Sequence, residues 1–246
     1  MFKETIPGLD KVLVSDIPKG AVIIVTGTAG SLKSAFVYNM LSQYLKRSIG
    51  EKGIYVTLEE SKQSHMRNMK SLGINIEKNL KVSDLASFRA HIGFEQMDYL
   101  DLIMKRTTGS IKALSEPKDD TIENDDLNHQ TTGSKVTCFA LDSLNALYSL
   151  LDVDKTKMRN KLLEFFTFLR QNQLTSFIVL ELAETLKYSE EFFLADGIIE
   201  FGITSSSQKT LKRYIQIRKL RATKHSLDPF VIEVGKNGLK VVGKLL

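Results

Sequence analysis

The sequence has one cysteine, four prolines, four histidines and no tryptophan in 246 residues. One thiol cannot close an intramolecular disulfide, and Cys138 lies in the apolar run VTCFALD, where a small buried hydrophobe is the simplest reading. That points to a reducing compartment. His65, His91, His129 and His225 are scattered, and with a single cysteine they form no zinc-ligand spacing. A Ser-His-Asp order for nucleophilic hydrolysis is not recognisable. No apolar run reaches the ~18 residues of a membrane span. The opening MFKETIPGLD places acid, proline and glycine where a secretory leader has its apolar core. These absences predict a cytoplasmic, soluble chain with no membrane partner. A strong charge excess is lacking too: thirty-four basic against twenty-nine acidic residues leave +5. That balance permits an anionic partner, nucleotide or nucleic acid, without requiring one.

What the chain does have is enough apolar residues, 42%, for one substantial core, and a single domain over 1–246 is the expectation. GAVIIVTG is a continuous apolar run ending in a glycine turn, as in a strand buried on both faces of a parallel sheet. From Lys33 to Arg47, apolar Phe36, Val37, Met40, Leu41 and Leu45 recur at helical spacing. KGIYVTLEE reads as a second buried strand, and SKQSHMRNMKSLG as a helix closed by Gly73. KVTCFALDS and TSFIVLEL read as two more strands, flanking a helix over about Lys155 to Gln173. Strands alternating with helices predict an α/β fold with a mainly parallel sheet. After Ala195, DGIIEFGI, TLKRYIQIRKL, PFVIEVG and GLKVVGKLL leave little room for helices and read as antiparallel strands added at the edge. Residues 105–135 are polar and charged, and are read as a mobile loop.

VTGTAGSLKS follows the first strand and opens the first helix, the setting of a phosphate-binding loop of form GxxxxGK[ST]. In such a loop backbone N–H groups wrap the phosphates, the lysine neutralises their oxygens and the hydroxyl holds Mg²⁺ at a helix N-terminus. Gly27, Thr28, Ala29, Gly30, Ser31, Leu32, Lys33, Ser34 and Ala35 form that stretch here, and only Leu32, in place of a glycine, departs from the pattern. A glycine turn that binds nothing is the alternative. Asp142 ends an apolar strand, as a carboxylate does that holds the water shell of Mg²⁺; taken alone it fits a helix N-cap equally well. Glu59 and Glu60 end the strand YVTLEE, where a carboxylate can orient a water near a γ-phosphate; a solvated helix start is the other reading.

Taken in order, these segments resemble the KaiC-like ATPases of the RecA/RadA superfamily, over most of the chain. IPGLDKVL and IPKGAVIIVTGTAGSLKS are similar to the family's opening and Walker A strand, and VTLEESKQSHMRNMKSLG to its V-T-x-E-E segment. FALDSLNALY resembles the Walker B strand, KYSEEFFLADGIIE the stretch before the late strands, and IRKLRATKH the K-x-R-G-x-x-H segment. The resemblance implies a RecA-like P-loop NTPase core that binds ATP and Mg²⁺. It makes Glu59 and Glu60, with Lys33, the catalytic residues, puts Ser71 near the adenine, and assigns Mg²⁺ to Ser34 and, through water, to Asp142. It also implies a ring or filament of identical subunits, in which Lys219, Leu220, Arg221, Thr223 and His225 reach the neighbour's nucleotide. Leu32 and Ala222 depart from the family at glycine positions. One such domain is present where the clock protein KaiC has two, so a circadian role does not follow.

Three functions are compatible with these residues. The first is ATP hydrolysis shared between subunits. The second is single-stranded DNA binding, for which Lys209, Lys212, Arg213, Arg218, Lys219, Arg221 and Lys224 offer a basic stripe. Charges on edge strands also serve simply to prevent aggregation. The third is a nucleotide-responsive regulator that turns over slowly and acts on a protein partner, with the 105–135 segment as a docking element.

Overall fold

The computed structural model describes residues 1–86, 98–115, 134–151, 155–182, 191–205 and 210–245. After two 3-10 turns at Phe2–Glu4 and Leu9–Lys11 the chain enters β1 (Val22–Gly27), α1 (Lys33–Arg47), β2 (Glu51–Thr57), α2 (Lys62–Ser71) and β3 (Leu80–Asp84). Next come α3 (Tyr99–Ser115), β4 (Lys135–Asp142), α4 (Leu144–Tyr148), α5 (Lys155–Gln171), β5 (Thr175–Glu181) and α6 (Glu191–Leu194). The last four strands are β6 (Gly197–Ser205), β7 (Leu211–Leu220), β8 (Phe230–Gly235) and β9 (Gly238–Lys244).

All nine strands form one sheet in the order β3-β2-β4-β5-β1-β6-β7-β8-β9. Pairing is parallel from β3 through β6 and antiparallel from β6 to β9. Central strand β1 is buried along its whole length, as a continuous apolar run on both faces requires. Ile23 and Val25 pack with Phe36, Val37, Met40 and Leu41 of α1 on one face. Val22 and Ile24 join Leu162, Phe165, Phe166 and Leu169 of α5 and Leu100 and Ile103 of α3 on the other. Residue parity along one strand thus builds two cores.

Helix α2 ends as its sequence suggests. Gly73 takes φ 72°, its N–H donates to the Lys70 carbonyl, and the Ile74 N–H donates to the Met69 carbonyl. This pair of bonds is the Schellman closure of a helix. Cys138 is fully buried, and burial pushes its thiol up to about 12.

Several expectations need correction. Residues 105–115 belong to helix α3: Leu100, Ile103 and Thr107 are buried, and Met104, Ile111 and Leu114 pack beside them at helical spacing. A window opened at Lys105 cuts that pattern in half. The rest of the segment up to 133 lies outside the described residues. Strand β6 is not antiparallel to its inner neighbour but continues the parallel sheet beside β1. Strand β3 was not anticipated, because only Leu80 and Val82 of its five residues are buried. Helix α5 ends at Gln171, before Gln173 turns to φ 55°.

Candidate functional site

The loop after β1 is shaped by two glycines and a leucine in a glycine's conformation. At Gly27, φ is 145° and a Cβ would lie 1.9 Å from the Phe201 carbonyl oxygen of β6, so the chain leaves the sheet here only without a side chain. The Thr28 carbonyl then accepts from the Ser31 hydroxyl and the Lys33 amine, each at 2.7 Å, and curls the loop around itself. Ala29 and Gly30 are exposed at its tip, with Gly30 at φ 73°. Leu32 stands at φ 77°, ψ 20°, and its carbonyl accepts from the Phe36 N–H at 2.8 Å to begin α1. Leu32 therefore keeps the left-handed backbone at a cost on the order of 1–2 kcal/mol. Its side chain packs against the core beneath α1.

Lys33, Ser34, Asp142, Ser143, Glu59, Glu60 and Glu181 converge with this loop on a cavity of about 300 Å³ at the C-terminal ends of the parallel strands. Lys33 is buried, and its amine lies 3.8 Å from Glu181 at the end of β5. Burial lowers the pKa of that amine, opposed by the charges of Glu181, Asp142 and Glu59. Asp142 is buried at the end of β4 and accepts a hydrogen bond from the Tyr55 hydroxyl at 2.6 Å and another from Ser34. Burial raises its pKa above the ordinary carboxylate value and the charge of Glu59 adds to the rise, against those two bonds and the nearby His65.

The helices that follow these acids are both capped by serine. Ser143, not Asp142, caps α4, its hydroxyl accepting from the Ala146 N–H. Ser61 caps α2, so Glu59 and Glu60 precede that helix. Glu59 is exposed on the cavity and takes a hydrogen bond from Ser143, whereas Glu60 accepts from Asn68 at 2.8 Å and meets His65 at 2.9 Å.

This donor set fits a magnesium nucleotide. Three carboxylates, buried Asp142 and the exposed Glu59 and Glu181, surround one lysine, and an acidic surplus around a cavity favours a cation. Among the described residues no group of three or more His, Cys, Asp or Glu could hold a metal alone. Mg²⁺ suits such a place because it takes one or two protein ligands and completes its octahedron with water and phosphate.

Other anticipated residues lie elsewhere. Ser71 turns its hydroxyl to the Asn68 carbonyl; Asn68 and Met69, not Ser71, line the cavity. Leu220 is buried against Gly197, so its side chain offers a neighbour nothing. Lys219 and Arg221 sit where β7 pairs with the start of β6, whereas the loop follows the far end of the adjacent strand β1. Lys219 pairs with Ile198 beside Ile24, three residues short of Gly27, and Arg221 lies further back, so their backbones stand about 10 Å or more from their own chain's phosphate loop. The Lys219 amine donates to the Phe192 and Ala195 carbonyls at 2.9 and 2.7 Å, and burial, with repulsion from Arg221, lowers its pKa. Arg221 is exposed and pairs with Asp196 at 3.4 Å. Thr223 donates to the Arg221 carbonyl, and Nδ1 of His225 donates to the Thr223 carbonyl.

The basic stripe is less uniform than its sequence suggests. Arg213 donates to the Gly30 carbonyl at 3.0 Å, and Arg218 and Arg221 are matched by Glu200 and Asp196. A bulge in the β6–β7 pairing leaves Arg218 between two registered pairs. Lys209 lies outside the described residues.

Sequence reasoning missed Glu181, Asn68, Tyr55 and Ser143, and placed Arg213 in the basic stripe without its bond to the loop. Glu181 had a usable signal, since it ends an apolar parallel strand as Asp142 does, and ligands gather at the carboxyl ends of such strands. Tyr55 had none: only the register of β2 against β4 reveals its proximity to Asp142.

Comparison with known proteins places these features. The family model of the KaiC ATPase matches residues 2–245. The chain is 27% identical over 243 residues to the circadian clock protein KaiC3 of Synechocystis, covering 96% of this chain but 44% of that protein. It thus spans less than half the length of that clock protein. A UPF0273 protein of Pyrococcus furiosus is 28% identical over 250 residues, with 97% and 92% of the two chains covered. The crystal structure of a KaiC-like protein from Pyrococcus horikoshii superposes with a TM-score of 0.74 at 26% identity, over 97% of this chain and 96% of that one.

Proposed function

This chain belongs to the KaiC ATPase family, and we propose that it hydrolyses ATP at sites shared between identical subunits. The observation that carries this reading is the convergence of Lys33, Ser34, Asp142 and Glu59 on one cavity beside the phosphate loop. Backbone N–H groups of the loop and the start of α1 receive the phosphates, and the Lys33 amine leaves the Thr28 carbonyl to neutralise their oxygens. Ser34 and Asp142 would hold magnesium, which supplies charge neutralisation across the β- and γ-phosphates. Glu59, exposed on the cavity and steadied by Ser143, orients the attacking water and accepts its proton. Arg221 of a neighbouring subunit leaves Asp196 and stabilises charge developing on the γ-phosphate. The exposure of Arg221 and its distance from its own loop support that arrangement.

Turnover is slow in isolated subunits, and assembly state is the output, which gives the protein a regulatory rather than metabolic role. No helix among the described residues is long and apolar enough to span a membrane.

The test is a titration with ATP and Mg²⁺, following binding and phosphate release over a range of protein concentrations, with and without single-stranded DNA. Saturable binding, with release that rises more than proportionally with protein, is expected, and Lys33→Ala abolishes both. Turnover proportional to protein concentration, or switched on only by DNA, contradicts the shared-site reading. Absence of binding at millimolar ATP contradicts the nucleotide site itself.

A further inference from the structure

We propose that His65 is a positioning residue for hydrolysis, acting through Glu60, a proposal that rests on the function argued above. His65 lies in the first turn of α2 and is completely buried. Its ring is walled by Tyr55 and Tyr38, with centroids 4.6 and 5.2 Å away. Buried side-chain polar atoms nearly always find partners. Here Nδ1 meets Glu60 Oε1 at 2.9 Å, while Nε2 has no partner among the described residues. A carboxylate has no hydrogen to give, so Nδ1 carries one and donates it. The hydrogen bonding of a fully buried ring is thus directed at one carboxylate oxygen.

Glu60 is fixed on its other sides as well. Its Oε2 accepts from the Asn68 amide at 2.8 Å, its carbonyl accepts from the Thr57 hydroxyl at 3.0 Å, and its N–H donates back to that hydroxyl at 3.4 Å. Each carboxylate oxygen of Glu60 therefore already holds one donor, which lowers its basicity and fixes its direction. Glu59, one residue earlier, has only Ser143 on one oxygen and faces the cavity. The geometry divides the pair: Glu60 is a fixed charge that sets the turn after β2, and Glu59 is the carboxylate that works on water. Tyr55, which walls His65, also donates to Asp142. One packed unit therefore holds the acids on both sides of the cavity. If the ring served packing alone, an apolar side chain of similar volume would do as well.

The experiment compares His65→Leu, which removes the donor, with His65→Asn, whose amide nitrogen takes the place of Nδ1. Each is made in the parent chain and in a Glu60→Ala background, with kcat, KM for ATP and melting temperature measured for all. His65→Leu is expected to lower kcat at least about tenfold, since small misplacements of catalytic groups carry losses of that order, while KM stays within about twofold. His65→Asn is expected to recover most of that loss. In the Glu60→Ala background His65→Leu is expected to change kcat by less than about twofold, the signature of two residues acting as a unit. If His65→Leu does not fold, His65→Gln replaces it; its amide reaches the place of Nε2 and is expected to be as slow. Parental turnover by His65→Leu overturns the proposal. So does equal damage from the leucine and asparagine variants, equal activity of the glutamine and asparagine variants, or a full additional loss on top of Glu60→Ala. Absence of turnover in the parent chain overturns the hydrolysis reading first.

Discussion

Leu32 and Ala222 lie at opposite ends of the strands yet share a backbone state that side chains disfavour, with φ of 77° and 55°. Both stand where the resemblance in sequence expects glycine, and both hold a conformation that glycine adopts freely. The strain at Leu32, about 1–2 kcal/mol, is already present in the free loop and does not have to be met on binding. Leu32→Gly is accordingly expected to change ATP affinity by less than about tenfold, measured by titration calorimetry. A parent chain that binds no ATP and gains binding through this substitution would contradict the argument.

Ala222 is exposed, so its backbone strain is not offset by packing. Ala222→Gly is expected to stabilise the protein by about 1 kcal/mol, because alanine at positive φ is unfavourable by that order. Urea unfolding measures this directly, and an unchanged or lower midpoint would count against the assigned backbone state.

Tyr55 donates to Asp142 across adjacent strands in a fully buried place. Tyr55→Phe leaves that carboxylate oxygen without its donor, and a loss of about 1.5–3 kcal/mol is expected for a buried bond to a charged group. Denaturant unfolding of the nucleotide-free protein is the check. A loss below about half a kcal/mol would mean that the hydroxyl bond contributes little.

Asp98 caps α3, accepting from the Leu100 and Asp101 N–H groups, and pairs with Lys161 of α5. Burial alone would raise its carboxyl, but the hydrogen bonds and charge of Lys161 and the helix start outweigh it and hold the pKa below the ordinary 3.8. A lowered carboxylate stabilises the fold fully above its unfolded value, and that stability is lost as pH falls through the folded value. Asp98→Ala is expected to cost about 1–2 kcal/mol at neutral pH, as for the loss of a helix cap. The gap between the two proteins should hold steady down to about pH 4 and shrink below it. A gap that widens on acidification would show the opposite sign.

How far the sequence could be read follows from range of interaction. β1, α1 and α2 are set by periodicity and caps within their own segments, so their limits were legible. The phosphate loop was legible for the same reason, with Lys33 and Ser34 at fixed spacing from Gly27. Helix α3 was partly lost because its apolar residues were divided by a boundary drawn on composition. The parallel pairing of β6 with β1 was lost because it joins strands far apart in sequence, Ile23 with Gly197 for example. The acids of the cavity come from three strand ends, Thr57–Glu60, Asp142 and Glu181, whose order in the sheet no local pattern encodes. The bonds of His65 and Asn68 to Glu60 depend on how α2 turns over the sheet, and so became visible only in the fold.

Mixing two damaged subunits shows whether a neighbour completes the nucleotide site. Lys33→Ala lacks the loop cation but carries Arg221, and Arg221→Ala has an intact loop but lacks the reaching arginine. Each variant alone is expected to release phosphate far more slowly than the parent. Their mixture, allowed to exchange subunits, is expected to regain part of the parental rate, because some interfaces then join an intact loop to an intact arginine. A mixture no faster than the sum of its parts, beside an active parent, would contradict the shared site, as would full activity of Arg221→Ala on its own.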